Sequence, residues 1–511
     1  MMRSLFSGVS GLKNHQTRMD VIGNNISNVN TTGFKSSRVN FEDTISQTLS
    51  AASSGGDNVG GTNPKQIGLG SKISAIDVNF KDGSVQSTGI NTDLCLSGNA
   101  LFVVKQGNQT FYTRNGAFNF DNQGNLVNAE GLYVQGYMNE STTEHNTVNT
   151  AGSTTAIAVR AGKTMPSSQT QTANYVNNLN ASAPTITGIT ATDNNGQPVS
   201  PVPDPCTVNG TTIMAAVLTM SDGTTQTVTS GTYKTGNSIP LSTTIKVYDS
   251  QGGAHVVPVT VEKTPKAPDG SGTMVDSKNT WVAKNAAPTV TATSSTEITL
   301  SNGKTAPVIG GSTTLQIGDH VIVEEDGTFT KVTMDDAYIK FKDTGAYQSG
   351  SGSLKLSYSN GNGASDQTVA VTFDNLTQYA NSSTINAEAD GYASGTLDTV
   401  TIDESGTVVG TYTNGILRKE AQIAVAQFTN ASGLTKKGNS LYVESNNSGT
   451  PNVGTADNFG ATITAAALEM SNVDVAEEFS NMIITQRGFQ SNSKIITVSD
   501  EMLENLINMK R

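Results

Sequence analysis

Apolar residues recur with a step of seven at both ends of this 511-residue chain and with a step of two almost everywhere between. Near the start, Leu5, Leu12, Met19 and Ile26 keep the seven-residue step, with Ile22 and Val29 on an adjacent seam. Near the end, Val475, Met482, Phe489, Ile496 and Leu503 keep it, with Phe479 and Ile507 beside them. Each series predicts a helix with one apolar stripe. A stripe that is not set in a globular core needs another helix to cover it, so the two ends are expected to pair in a coiled-coil-like inner domain and to pack against neighbouring copies.

The C-terminal helix has a legible start. Asp474 followed three residues later by Glu477 is the Asp-x-x-Glu form of a capping box, and Glu478 adds acidic charge to the first turn. Lys510 and Arg511 place basic charge at the other end, which suits the helix dipole. At its usual rise such a helix is ~55 Å long. Gly488 lies in its middle and predicts close approach by another backbone or some local give. The N-terminal helix is expected from about Ser4 to Val29 and is interrupted by Gly8, Gly11 and Gly23, which make it weak alone. His15 falls on its second seam as a packing or capping residue. Asn24, Asn25, Asn28 and Asn30, then Gly33, favour caps and turns, so the chain should reverse near Gly33.

Between the helices, period-two runs alternate with turn dipeptides, and antiparallel sheets are the expectation. Asp82-Gly83, Asn115-Gly116, Asp222-Gly223, Asp326-Gly327 and Asn414-Gly415 are the hairpin candidates, because both residue types tolerate positive φ. Thr399 to Ile402 and Thr407 to Tyr412 read as one hairpin across Asp403-Glu404-Ser405-Gly406. The run His255 to Val261 should lie at a sheet edge, since Pro258 lacks a ladder donor. Groups such as Asp121-Asn122-Gln123-Gly124 and Asp249-Ser250-Gln251-Gly252 read as turns, because they lack the spacing and terminal glutamate of a calcium loop.

Composition narrows the function. A formal net charge of −12 argues against nucleic acid or an anionic membrane as partner, and no apolar run is long enough for membrane insertion. The chain is too long for one core, and its 6% aromatic content with 51 glycines suggests several small β-rich cores. Its first residues lack the pattern of a cleaved secretory signal. No catalytic or metal arrangement stands out: His15, His145, His255 and His320 are scattered, and Ser491 to Lys494 satisfies Ser-x-x-Lys without the companion motifs of an acyl-enzyme. No enzyme activity and no cofactor is expected. Cys95 sits in an apolar run as a small buried hydrophobe, whereas Cys206 follows three prolines and is expected to be exposed.

The stretch from Leu5 through Asn24, Asn25, Asn28, Thr32, Gly33, Phe34 and Lys35 resembles the N-terminal signature of bacterial flagellar rod and hook proteins. Leu468 to Phe479 and then Gln486, Arg487, Gly488, Phe489, Gln490, Ser491 and Asn492 resemble the matching C-terminal signature. Thr92 to Val104 and Tyr112 to Phe118 are similar to the first β-domain of that family. Ile245 to Gly252, Trp281, and Gly391 to Leu397 are closer to its hook members than to its rod members.

The resemblance implies a structural subunit that polymerises with copies of itself into a helical, curved and flexible tube between rod and filament. It implies localisation at the flagellum outside the cell and passage through the flagellar type III export apparatus. Rod, hook-cap and hook–filament junction proteins are the implied partners. Some members cross-link subunits through a cysteine and a lysine, a role open here to Cys206.

Because the ends belong together, the expected plan is nested. Residues 1–35 and 470–511 form the helical inner domain, and 36–74 a connector that orders on assembly or stays disordered. Residues 75–145 and 388–469 form the first β-domain, and 146–387 inserted outer modules, at about 155–237 and 238–387. A distal rod subunit is the nearest alternative. A secreted β-rich adhesin leaves the paired heptads unexplained.

Overall fold

The heptad series at the two ends form the helices α1, Met2–Ser27, and α2, Val475–Asn508. A computed structural model describes every residue except 1, 56–59, 142–146, 211, 270, 294–296, 308–314, 325–328, 359–362 and 510–511. His145, Asp326-Gly327 and the basic end Lys510 and Arg511 lie outside the described residues. Asp474 caps α2 as its spacing predicts: one carboxylate oxygen accepts from Ala476 N at 2.8 Å and from Glu477 N at 3.2 Å. α1 stops at Ser27, two residues short of the sequence reading, because the asparagine run bonds locally. Asn28 donates back to the Asn24 carbonyl, and Thr31 N to that of Asn28. Val29 is therefore in the turn and not on the helix.

The chain divides into two compact units, Met1–Lys163 with Thr396–Arg511, and Thr164–Gly395. In the first, strands from before and after the insertion interleave. Tyr133–Met138 pairs with Leu101–Gln106 on one side and with Leu417–Ile423 on the other. Leu94, Phe102, Phe118, Leu126, Val408, Ile423 and Ile463 close one core, so segments far apart in sequence cannot fold separately. The hairpin Gly395–Ile402 with Thr407–Tyr412 turns through Asp403 to Gly406, as read from the sequence. Asn414-Gly415 likewise turns Thr407–Tyr412 into Leu417–Ile423, with Gly415 at φ 80°.

The second unit contains a sandwich. A five-stranded sheet and a six-stranded sheet share a core that includes Tyr175, Ile245, Val259, Trp281, Ile339, Leu356 and Phe373, all at most 2% exposed. A smaller core around Ile186, Cys206, Val208 and Leu218 and a third around Val290 and Phe329 complete the unit.

Several expectations need correction. The connector expected at 36–74 carries strands in the single chain: Ser37–Asp43 pairs antiparallel with Ser71–Val78, and Ser46–Ser50 with Lys65–Gly68. Asp82-Gly83 and Asn115-Gly116 turn no hairpin, because their glycines sit against the Met470 and Leu94 carbonyls, where a side chain has no room. The strand Ala254–Pro268 pairs on both sides and is not an edge. Pro258 is tolerated there because the Ala286 N–H donates to its carbonyl just past the end of the neighbouring strand Met274–Asn285, where no ladder donor is needed. The sheets are not all antiparallel, since Thr172–Asn180 runs parallel to Gln367–Tyr379. Cys206 is fully buried: it begins a short strand opposite Tyr233, and burial pushes its thiol pKa up, which leaves it unsuited to cross-linking.

Candidate functional site

The two helices run antiparallel, and the residues that bring them together are small or polar. A Cβ on Gly488 would stand 2.7 Å from the His15 ring, one on Gly11 2.8 Å from the Asn492 amide, and one on Gly8 3.2 Å from Ile496. The close neighbour of Gly488 is a side chain, the His15 ring, and not another backbone. Arg18 donates to Asn481 at 3.2 Å, and Thr485 and Ser499 are the buried described side chains of α2. His15 also meets Phe41 of the hairpin edge to face, and Asn14 donates to Ser71, so the hairpin packs along α1. Burial beside Arg18 holds the His15 pKa down.

This seam takes in only part of the apolar stripe: Ile496 packs on Gly8, and other stripe residues stay open. Ile22 is buried, while Leu5, Leu12, Met19, Ile26, Val29, Met482, Ile496 and Leu503 are half-buried. Val475, Phe479 and Phe489 are exposed within the single chain, as are Phe6, Val9, Ile483, Ile484 and Leu506. Ile483 and Ile484 are each 59% exposed.

Where the helices meet the β-structure, the asparagine-rich signature makes a polar joint. Asn25, fully buried, donates to the Ser37 carbonyl at 2.8 Å and to Glu478 at 2.7 Å, and accepts from Ser37 N at 3.0 Å. One side chain thus ties the end of α1 to the hairpin and to the start of α2. Burial raises the Glu478 pKa, against the opposing pull of the Asn25 hydrogen bond. Thr32 donates to Asn115 at 3.2 Å. Gly33 has φ 65°, and a Cβ there would lie 2.5 Å from the Asn115 nitrogen, so both its conformation and its surroundings require glycine. The Lys436 ammonium lies 4.7 Å from the centre of the Phe34 ring.

Lys35 closes the joint. Its ammonium is buried and donates to Glu469 and to the Lys81 carbonyl, both at 2.6 Å. Arg114, equally buried, reaches the other Glu469 oxygen at 3.3 Å, Asp82 at 3.2 Å, the Leu96 carbonyl at 2.5 Å and the Gly98 carbonyl. Glu469 also accepts from Gly83 N at 2.8 Å. Burial, with Arg114 nearby, pushes the Lys35 pKa down, and Glu469 opposes that shift. Two buried cations and two carboxylates balance here, and loss of one member leaves the others uncompensated. Asn472 adds a further tie, accepting from Ser36 N at 2.8 Å and donating to Asn79 O and Lys81 O.

The remaining signature residues divide. Asn492 faces Gly11 and donates to the Gly488 carbonyl at 3.0 Å, whereas Gln486, Arg487 and Gln490 are exposed, with Arg487 donating to Gln490 at 3.2 Å. Asn24 and Asn28 bond within the turn. Sequence reading missed the roles of Arg114, Glu469, Asp82 and Asn472. For Arg114 and Glu469 the signal was a charge inside a strand-like run; Asp82 and Asn472 carried none. Among the described residues, no group of three or more acidic, histidine or cysteine side chains is arranged to hold a metal, and no helix is long and apolar enough to cross a membrane.

Family models match along the chain: "Flagella basal body rod protein" over residues 5–35, "Flagellar hook protein FlgE/F/G D1 domain" over 95–161, "Flagellar basal body protein FlaE D2 domain" over 220–392, and "Flagellar basal body rod FlgEFG protein C-terminal" over 464–509. The paired termini and these matches define the class, an axial component of the bacterial flagellum. The flagellar hook protein FlgE of Treponema pallidum is 38% identical over 530 residues, covering 100% of both chains, and that of Borreliella burgdorferi is 36% identical over 516 residues, again covering 100% of both. The flagellar basal-body rod protein FlgG of Bacillus subtilis is 53% identical over 134 residues, which cover 26% of this chain and 51% of its own. The chain belongs to the flagellar hook protein family.

Proposed function

We propose that this protein is a structural subunit of the flagellar hook that assembles through the apolar face of its paired terminal helices. The carrying observation is the separation of two surfaces on α2. A small, polar seam holds α1, and an apolar stripe through Phe479, Ile483 and Ile484 stays open. Helices of neighbouring copies would cover that stripe in head-to-tail, heterologous contacts whose rotation does not close a ring and so propagates as a helical tube. The joint around Lys35, Arg114 and Glu469 holds the helix pair at a fixed attitude to the β-structure of its own unit. Torque from rod to filament would pass through it.

Identity with hook proteins extends over the whole chain, whereas identity with the rod protein covers 26% of it, which favours hook over distal rod. Self-assembly is the primary partnership. Contacts with rod, hook-cap and hook–filament junction proteins, and passage through the flagellar export apparatus, belong to the same reading. Electron microscopy of cells with an in-frame deletion tests it. Basal bodies that end in a complete rod without a hook support the reading, complete flagella overturn it, and a missing distal rod transfers the chain to the rod.

A further inference from the structure

At one end of the sandwich, His255 stands between two carboxylates that approach opposite nitrogens of its ring. Nδ1 is 2.8 Å from Glu324 Oε1, and Nε2 is 3.2 Å from Asp249 Oδ2. His255 is buried at 5% exposure on the strand Ala254–Pro268 of the five-stranded sheet. Asp249 is buried in the turn that precedes that strand, and its Oδ1 accepts from Gln251 N and Gly253 N, both at 2.8 Å. Glu324 follows the strand His320–Val323, which belongs to the six-stranded sheet. The Tyr358 ring, on the strand Ser351–Tyr358 of that same sheet, lies 4.7 Å from the imidazole. One side chain therefore joins the two sheets, which also meet through their shared apolar core and through the Asn285 amide donating to the Val332 carbonyl at 3.1 Å.

The geometry fixes the protonation state required. An ionised carboxylate only accepts, and a neutral imidazole has one N–H and one lone pair. Only imidazolium donates to both carboxylates; a neutral ring turns a lone pair toward either Asp249 or Glu324. The other titratable groups facing the site, Tyr358 and Asp366, which accepts from Tyr358 N, bring no positive charge. We propose that His255 is an imidazolium latch between the two sheets of the inserted unit, so that the stability of this unit falls as pH rises above neutral.

Burial works against the charged ring, but the hydrogen bonds and charges of Glu324 and Asp249 prevail and hold the His255 pKa above its ordinary value of 6.5. The folded state then binds the proton more tightly than the unfolded chain. The latch is complete below that ordinary value and is lost as pH rises through the raised one.

Trp281, the single tryptophan of the chain, is buried in the core of this sandwich, so its emission reports unfolding of the inserted unit in the full-length protein. Urea unfolding of wild type followed at Trp281 from about pH 6 to pH 9 should show the unfolding constant rising by up to about tenfold per pH unit in the window above neutral. In His255→Gln the difference between acid and alkaline ends should vanish. Glu324→Gln, which keeps the imidazole and removes one carboxylate charge, should fold in any case and move the fall to lower pH. A flat wild-type profile, or a slope that survives in His255→Gln, overturns the latch. If His255→Gln does not fold, an unmoved profile in Glu324→Gln overturns it. Proton NMR titration decides independently: a His255 imidazole resonance titrating above 6.5 supports the latch, and one titrating below it is contradictory.

Discussion

The helix pair and the sandwich of the inserted unit place their apolar residues in opposite ways. In the sandwich, Tyr175 and Phe373 are 0% exposed and Trp281 2%, so its large aromatic side chains are enclosed. On α2 the buried described side chains are Thr485 and Ser499, while Phe479, Ile483, Ile484 and Leu506 are exposed. The sandwich is finished within one chain. The helices pair through small residues, and part of their apolar surface stays exposed in the single chain. A subunit that must remain soluble as a monomer and associate in a polymer gains from this separation, because folding and assembly then draw on different surfaces.

The comparison breaks most sharply under truncation. Removal of residues 1–70 and 470–511 should leave the Trp281 transition in place while abolishing polymer. Loss of that transition would mean that the helices are core elements of the whole chain. Next in size, Lys35→Ala leaves Arg114 alone to offset both Glu469 and Asp82 and should cost about 3–5 kcal/mol of stability in the first unit, without moving the Trp281 midpoint. Calorimetry read beside tryptophan emission separates the two transitions. Ile484→Ala should scarcely change monomer stability, within about 0.5 kcal/mol for an exposed position, yet raise the concentration needed for polymerisation roughly tenfold if the side chain is buried between copies. Sedimentation of polymer across protein concentration measures the ratio. Smallest, Asp474→Ala removes the α2 cap and should cost about 1 kcal/mol of helix stability, seen as earlier loss of helical circular dichroism.

Much of this was legible in the residues, and the parts that were not have physical reasons. The Asp474 cap and the Asn414-Gly415 turn were readable because local chemistry decides them. The heptad stripe was readable as apolar periodicity, but periodicity cannot say which copy covers it. The contact inside one chain runs through Gly8, Gly11 and Gly488, with Ile496 of the stripe against Gly8, and there the close approach of the helices decides the residue type. Asp82-Gly83 and Asn115-Gly116 carry hairpin chemistry and turn no hairpin, because backbone packing against distant carbonyls decides their place. Lys35, Arg114 and Glu469 could not be read as a cluster, since each is an ordinary charged residue until the chain ends and the first β-segment meet. Cys206 looked exposed after three prolines, yet the strand it begins turns it into a small core. The hairpin of residues 37–78 was hidden by its polar composition, and its outer stage, Ser46–Ser50 with Lys65–Gly68, is exposed throughout.

The central claim is that folding and assembly use separate faces of the same helix, and Ile484→Asp in the full-length protein tests it most directly, with two readings on one sample. The account predicts a monomer whose thermal unfolding matches wild type and which forms no polymer by electron microscopy, in vitro or in complemented deletion cells. Normal hooks from this variant would show that the exposed stripe is not the assembly face, and an unfolded monomer would show that it belongs to the subunit's own core.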